Sequence, residues 1–170
     1  WREQALYAMD SRNQMLCGYY AFGEYDMPRA SLKLLSQSLR ADGMLELCAP
    51  ARIPITIPSF SAMYLVELQE YVLFSGDLDF GRELLPCARA IADAFCAHID
   101  GSGLISAYRD KKYWNFYEWQ PYLEGYATHE RDTEALRFDA PLNCFVILAL
   151  DRLASLMEDL GEGKEGSVYR

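Results

Sequence analysis

The chain has 170 residues, and its 51% hydrophobic fraction is enough for one domain with a buried core. Its 25 acidic residues outnumber its 16 basic residues, which gives a formal net charge of −9. Because phosphate-binding surfaces are basic and no basic run occurs here, we expect no nucleic acid partner. No apolar run approaches the roughly 20 residues that span a bilayer, so we also expect no membrane partner.

Two helices are predicted in the first part of the chain. A capping-box pattern begins at Ser11, and apolar residues at helical spacing follow it, which predicts a first helix over residues 11–22. Asp26 marks the start of a second helix, which should continue to the turn at residues 42–43. Together the two helices should form a hairpin.

A second helical hairpin is predicted after a proline-rich loop. Three prolines lie between residues 49 and 58, which excludes a helix there and predicts a surface loop. Ser59 is expected to cap a third helix that stops at residues 75–76. A fourth helix should begin at the acids of residues 77–79 and run to about residue 99.

An insert and a last helix complete the predicted elements. Residues 104–119 contain many β-forming residues with polar interruptions, which predicts a short hairpin or an extended loop. Asp139 and Pro141 predict the start of a last helix that ends at Gly161. The predicted fold is therefore mainly α, and stacked helical hairpins of this kind form either open solenoids or closed α/α toroids.

The most informative stretch is residues 113–120, which is rich in aromatic residues and also contains amides and one carboxylate. Aromatic faces can cover the C–H faces of a sugar ring, while amide and carboxylate groups bind its hydroxyls. A carbohydrate is therefore the expected partner. The alternative is an aromatic strand packed on the core, because the same residues also favour strands.

Cysteine and histidine do not predict a metal site. The five cysteines are an odd number without a C-x-x-C pair and lie mostly among apolar residues, which favours buried thiols. His98 and His129 lie far apart in sequence, and His98 is expected to be a solvated or helix-capping group. We therefore predict neither a metal nor a cofactor.

The first ten residues contain an Arg-Glu pair at residues 2–3, then an aromatic residue, and then Asp10 just before a predicted helix. This order resembles a motif of the α-L-rhamnosidases, family 78 of the glycoside hydrolases, that reads Asp-Cys-Pro-x-Arg-Glu and then, a few residues later, an aromatic and Gly-Asp. Residues 117–119, Tyr-Glu-Trp, are similar to the family's later Gly-Asp-Trp motif. The resemblance implies that residues 1–170 form helical hairpins of an incomplete (α/α)6 toroid, roughly half of a catalytic domain.

For catalysis, the resemblance implies that Glu3 is the general acid of an inverting glycosidase and protonates the leaving oxygen. Aromatic neighbours could raise its pKa by excluding water. Arg2 would lower the pKa of a neighbouring carboxylate, so it is expected to point toward a different acid or toward the sugar. The family's general base comes from a later loop, and no substitute is found up to Arg170. We therefore expect an inactive fragment.

For binding, the resemblance implies that two acids contact the sugar and that two tryptophans flank it. Asp10 and Glu118 would contact the sugar in the −1 subsite, and Trp114 and Trp119 would wall it. Where the family has Gly-Asp, this chain has Tyr117-Glu118. The subsite should therefore differ in shape, and rhamnose is not fixed as the sugar removed.

Simpler structural roles compete with each of these assignments. Without the resemblance, Glu3 is a solvated surface acid, and Asp10 extends a helix N-cap. Glu118 could pair with Arg109 or Lys112 across a hairpin.

Two other functions remain open. Another six-hairpin glycosidase, such as an unsaturated-uronyl hydrolase, would need a basic subsite, which an acidic chain does not favour. A non-catalytic array of helical hairpins could instead bind a protein or a glycan through its aromatic loop, and Glu3 would then be dispensable. Half a toroid would also expose apolar helix faces, which predicts self-association through them.

Overall fold

A computed structural model describes residues 5–121, 123–124 and 138–170. Within these ranges the chain forms six α-helices and a short 3-10 helix, with isolated β-bridges but no sheet. The α-helices are α1 Ala8–Phe22, α2 Asp26–Ser36, α3 Pro58–Ser75, α4 Leu78–Cys96, α5 Ala140–Asp159 and α6 Gly163–Gly166, and the 3-10 helix is Ser167–Tyr169. The prediction of a mainly α fold of helical hairpins is confirmed.

Helix α1 begins at Ala8 rather than at residue 11. Its N-cap is Tyr7, which makes no side-chain cap hydrogen bond. Ser11, the expected cap, lies within the first turn, where its hydroxyl donates to the Ala8 carbonyl at 2.8 Å. The capping-box prediction is therefore wrong, because a serine inside a helix can bind a carbonyl of the preceding turn. The helix ends as predicted at Gly23, which has a left-handed φ of 60°.

Helix α2 starts at Asp26 as predicted but ends at Ser36, before the expected turn. The hydroxyls of Ser36 and Ser38 donate to the carbonyls of Lys33 and Leu35, at 2.8 and 2.7 Å. These hydroxyls bind carbonyls that the backbone N–H groups of a longer helix would use. The predicted length of α2 is therefore wrong, although the helix packs against α1 as the expected hairpin.

Helix α3 is the centre of the fold, because it packs against α1, α2, α4 and α5 and almost all of its residues are buried. Its first helical residue is Pro58, and its N-cap is Ile57. Ser59, the predicted cap, is the second helical residue, and its hydroxyl donates to the Phe116 carbonyl at 2.8 Å. This prediction is wrong because proline suits the first helical position and leaves the serine free for a tertiary contact.

Helices α4 and α5 begin near the predicted acids, and aspartate side chains cap both of them. The carboxylate of Asp77 accepts from the Phe80 N–H at 3.0 Å, and that of Asp139 accepts from the Leu142 N–H at 3.2 Å. Helix α4 ends at Cys96, slightly before the predicted end. It packs against α3 as the second hairpin.

Helix α5 packs its buried side against α3. Of the helices in the described ranges, it alone has the length and composition of a membrane span, with a mean hydropathy of 1.5 over a window that is 44% buried. Asp151 and Arg152 interrupt its apolar residues. A core helix of a globular domain can have the same length and hydropathy, so these properties are weak evidence for a membrane span.

Residues 104–119 form an extended loop, which is one of the two predicted forms. The Thr56 N–H donates to the Lys112 carbonyl, and the Trp114 N–H donates to the Thr56 carbonyl, each at 2.8 Å. Thr56 and Tyr113 form an isolated parallel bridge. The insert therefore lies against the proline-rich loop, just before α3 begins.

Several large apolar side chains remain exposed on the helices. Tyr20 and Phe22 of α1 are 78% and 83% exposed, and Ile147 of α5 is 68% exposed. Self-association through such side chains stays a prediction.

Candidate functional site

A cleft lies at the N-terminal end of α3, between the first turn of α1 and the extended loop. It consists of two adjoining hollows that share four lining residues, Asp10, Phe60, Phe116 and Trp119. The apolar hollow has a volume of about 320 Å³ and is also lined by Tyr7, Leu47, Ile57 and Trp114. The polar hollow has a volume of about 130 Å³ and is also lined by Met9, Asn13, Tyr117 and Glu118.

The predicted binding residues are distributed over these two hollows. Asp10 and Trp119 line both of them, whereas Trp114 lines the apolar hollow and Glu118 lines the polar hollow. The fold thus brings the first turn of α1 to the aromatic loop, although the two are far apart in sequence. The predicted acid Glu3 and its neighbour Arg2, together at residues 2–3, lie outside the described residues.

Asp10 is held in place because the first turn of α1 is bound to α3. Arg12 Nε and Nη2 donate to the two carboxylate oxygens of Glu70, at 2.9 and 2.6 Å. This bidentate contact raises the pKa of Arg12, chiefly through the hydrogen bond to Glu70. The pair fixes the position of α1 two residues after Asp10, which itself lies in the first turn and is exposed toward the cleft.

A buried carboxyl supports the same turn. The Ser11 oxygen lies 3.4 and 3.3 Å from the two carboxyl oxygens of Glu67, which is 1% exposed. Burial raises the pKa of Glu67 well above its usual value, so the carboxyl keeps its proton over a wider pH range. A protonated Glu67 can donate to the Ser11 oxygen while the Ser11 hydroxyl donates to Ala8, which satisfies both side chains.

The loop wall of the cleft is held by α3 in a different way. Ser59 donates to the carbonyl of Phe116, and the Phe116 ring packs edge-on against Phe60 with centroids 6.3 Å apart. Phe116 is 7% exposed. One hydrogen bond and aromatic packing therefore hold this side of the cleft against α3.

Two indole rings lie on the loop wall. Trp114 is half-buried, and its Nε1–H donates to the Glu124 carbonyl at 3.0 Å. Trp119 is 70% exposed, and its ring meets those of Trp114 and Phe116 at centroid distances of 5.7 and 4.8 Å. The two rings offer accessible aromatic surface to a ligand in the apolar hollow.

Glu118 is exposed, and its carboxylate is bound by the backbone N–H of the next residue. Its Oε1 accepts a hydrogen bond from the Trp119 N–H at 2.6 Å. Lys112, one of the two bases considered as its partner, instead lies 2.9 Å from Asp42. Glu118 therefore presents a carboxylate to the polar hollow.

Sequence reasoning missed one residue that lines the cleft and two that support its walls. Asn13 follows Asp10 by one helical turn, so the helical spacing could have identified it once α1 was extended to Ala8. Glu67 is one of two acids in the mainly apolar sequence of α3, the other being Glu70, and this is the only sequence signal for its burial. The contact of Ser59 with Phe116 has no sequence signal, because it depends on tertiary structure.

The described residues contain no group of three or more His, Cys, Asp or Glu that could hold a metal ion. Cys17 and Cys144 are exposed, so the prediction of buried thiols is wrong for them. The apolar residues around them in sequence do not all face the core. Burial raises the pKa of the Cys87 thiol to about 11, which makes it a poor nucleophile at neutral pH. His98 stacks on Tyr108 with centroids 4.2 Å apart, so it is packed against the insert rather than free in solvent.

The loops of the helical hairpins form an aromatic and acidic cleft. The hairpins have the fold of part of the rhamnosidases of glycoside hydrolase family 78. The GH78 family rhamnosidase of Bacillus sp. GL1 matches 98% of this chain with a TM-score of 0.82 at 24% sequence identity, and the match covers 16% of that protein. A rhamnosidase from Klebsiella oxytoca with rhamnose bound matches 99% of this chain with a TM-score of 0.78 at 25% identity, and the match covers 31% of that protein.

This likeness is one of structure. No protein-family model and no curated protein matches the sequence. The chain spans less than a third of either rhamnosidase, at 16% and 31% of their lengths. The comparison therefore supports a common fold with part of a glycoside hydrolase.

Proposed function

We propose that this chain is part of the catalytic domain of an inverting, α-L-rhamnosidase-like glycoside hydrolase that removes a terminal sugar from a glycan or glycoside. Asp10, Trp114 and Trp119 meet around the apolar hollow, in a fold similar to that of two rhamnosidases, and this convergence is the main support. Aromatic faces and a carboxylate suit the C–H faces and hydroxyls of a sugar. In this proposal residues 1–170 correspond to roughly half of an (α/α)6 toroid.

The charge of the described lining residues favours a neutral sugar. Among the described residues, no Arg or Lys lines either hollow, whereas Asp10 and Glu118 line them. A uronyl substrate carries a carboxylate, which these two acids would repel. An unsaturated-uronyl hydrolase is therefore a weaker alternative than a glycosidase for neutral sugars.

For the chemical step we propose Glu3 as the general acid and Arg2 as a residue that contacts the sugar or a second acid. Glu3 lies seven residues before Asp10 in the sequence, and the resemblance of residues 2–10 to the family's first motif supports this assignment. An inverting glycosidase also needs a base roughly 6.5 to 9.5 Å from the acid, with a water between them. In this proposal that base belongs to a part of the protein outside this chain. The chain alone should then bind sugar without hydrolysing it.

Hydrolysis of an aryl α-L-rhamnoside tests this assignment. In the proposed complete domain, consisting of this chain and its continuation, Glu3→Gln should lower the hydrolysis rate by about 100-fold or more. The matched control is Glu165→Gln, which changes an exposed acid on α6. Equal rates for Glu3→Gln and the unaltered domain would overturn the catalytic assignment.

A glycan-binding module without catalysis is the second candidate. The 70% exposure of Trp119 favours it, since an open aromatic surface can bind a glycan without any acid or base. This candidate predicts sugar binding by the complete domain, no hydrolysis of the aryl rhamnoside, and no effect of Glu3→Gln on binding.

A further inference from the structure

A polar contact connects the cleft to the interior of the chain. Asp10 lines both hollows, whereas the next residue, Ser11, is 3% exposed and faces α3. The Ser11 oxygen lies 3.3 Å from the nearer carboxyl oxygen of Glu67, which is 1% exposed. The turn that carries Asp10 is therefore in contact with a carboxyl that has almost no access to solvent.

The proton of Glu67 determines which hydrogen bonds this turn can make. A hydroxyl has one hydrogen, and Ser11 donates its hydrogen to the Ala8 carbonyl at 2.8 Å, within the same turn. A protonated carboxyl can donate to the Ser11 oxygen and leave that bond intact. An ionised carboxyl can only accept, so it must either take the Ser11 hydrogen from Ala8 or stay buried without this donor. Loss of the proton therefore removes one hydrogen bond from the start of α1.

Among the described residues, the charged and titratable groups that act on Glu67 lie on α1 and α3. Burial has the largest effect on the pKa of Glu67 and raises it well above the usual value. Arg12 of α1 favours the ionised form and Glu70 of α3 opposes it, and these two are paired with each other at 2.6 Å. Burial also raises the pKa of Tyr19 and of Tyr64, so both phenols stay neutral when Glu67 titrates.

We propose that Glu67 is a positioning residue of the sugar site, and that its proton keeps Asp10 in the geometry that binds sugar. Glu67 acts through Ser11 and not by contact with the sugar. When the proton is lost, the first turn of α1 loses a hydrogen bond and the site binds sugar less tightly. This inference rests on the proposed function and extends it, because it gives the cleft a pH-dependent control in the interior.

Protonation of Glu67 and sugar binding must then be coupled in both directions. If the proton strengthens binding, bound sugar must raise the pKa of Glu67 by the same coupling free energy. At a pH where Glu67 is partly ionised, binding should therefore take up a fraction of a proton. A residue that only stabilises the fold, with no link between its proton and the site, produces no such uptake.

Calorimetric titration of the purified 170-residue chain with methyl α-L-rhamnoside tests the inference. From about pH 5.5 to 9.5, where ordinary carboxyls are already ionised, the affinity should fall roughly three- to tenfold as Glu67 loses its proton. Titrations in buffers of different ionisation enthalpy measure the proton uptake. Circular dichroism at each pH verifies that the chain remains folded.

Three variants separate the role of Glu67 from general effects. Glu67→Gln should bind the probe as the unaltered chain does at the low end of the range, because its amide donates to Ser11 at every pH, and it should lose the pH dependence and the proton uptake. Ser11→Ala should bind more weakly and also lose both. Glu165→Gln changes a distant exposed acid on α6 and should retain both.

Hydrogen exchange tests the turn without any ligand. The Ser11 N–H donates to the Tyr7 carbonyl at 2.9 Å, so its protection reports on the first turn of α1. After correction for the intrinsic exchange rate, this protection should fall at high pH in the unaltered chain and stay constant in Glu67→Gln. Protection that changed equally in both chains would refute the role of Glu67.

The outcomes distinguish this inference from the function on which it depends. If methyl α-L-rhamnoside binds with constant affinity and no proton uptake across the pH range, the positioning role is refuted and the proposed function stands. If the probe binds at no pH, the proposed function fails and the positioning role fails with it, whatever hydrogen exchange shows for the turn.

Discussion

The two walls of the cleft are held to α3 by different kinds of interaction. The helical wall, at the start of α1, is bound through charged and buried polar groups, the Arg12–Glu70 pair and the Ser11–Glu67 contact. The loop wall is bound through aromatic packing of Phe116 and one hydrogen bond from Ser59. The stability of the helical wall should therefore depend on pH and on its charged side chains. The stability of the loop wall should instead depend on the volume of its buried aromatic side chains.

Phe116→Ala should have the largest effect, because it removes a buried aromatic side chain from the loop wall. We expect the free energy of unfolding to fall by about 3 to 5 kcal/mol. Urea denaturation measures this change. Phe22→Ala is the control, since Phe22 is 83% exposed and its removal should change stability little. Equal effects of the two substitutions would show that the loop wall does not depend on Phe116 packing.

Arg12→Ala tests the helical wall and should have the next largest effect. It leaves Glu70, whose side chain is 16% exposed, without its bidentate partner. Loss of hydrogen bonds to a charged group should lower the free energy of unfolding by about 1.5 to 3 kcal/mol. Arg82→Ala breaks a more exposed pair with Asp79 and should have little effect. A small effect of Arg12→Ala would mean that this pair does not hold α1.

Glu67 should make the stability of the helical wall depend on pH. Its folded-state pKa is raised above the ordinary value of 4.5, so above that pH the folded chain keeps a proton that the unfolded chain releases. Stability should then fall as pH rises, by up to about 1.4 kcal/mol per pH unit, until the folded-state pKa is passed. Glu67→Gln should remove this contribution, as measured by urea denaturation across the pH range. Glu165→Gln should retain it. If the free energy of unfolding changed with pH in Glu67→Gln as it does in the unaltered chain, Glu67 would not be the source of this pH dependence.

Ser59→Ala should have the smallest effect of the four. It leaves the Phe116 carbonyl without its hydroxyl donor, and we expect a loss of about 1 kcal/mol in the free energy of unfolding. Ser167→Ala removes an exposed hydroxyl that donates to the Lys164 carbonyl, and it serves as the control. If Ser59→Ala lowered stability more than Phe116→Ala, hydrogen bonding rather than aromatic packing would dominate the loop wall.

Several helix limits could be predicted because their signals are local. Gly23 and Gly76 adopt the left-handed conformation that ends a helix, and Asp77 and Asp139 cap the next helices with their own side chains. The two predicted serine caps were wrong because the partner of a serine hydroxyl is not determined by the local sequence. A serine hydroxyl can bind its own helix or a distant carbonyl, and tertiary packing decides between them.

The cleft was harder to predict than the fold. Asp10 and Trp119 come from distant parts of the sequence, and only the resemblance to two family motifs suggested that they meet. The residues that position them carry no such signal. Glu67 could have been noticed as an acid in an apolar helix, but its contact with Ser11 required α1 to begin at Ala8.

The pairing of the two indoles has a consequence for spectroscopy. Trp114 and Trp119 are two of the three tryptophans of the chain, and their rings lie 5.7 Å apart. A large share of the intrinsic fluorescence therefore originates in the cleft. Since Trp119 is mostly exposed to water, a ligand that covers it should shift the emission toward shorter wavelengths. The protein thus contains its own optical probe, which reports occupancy of the cleft without a label.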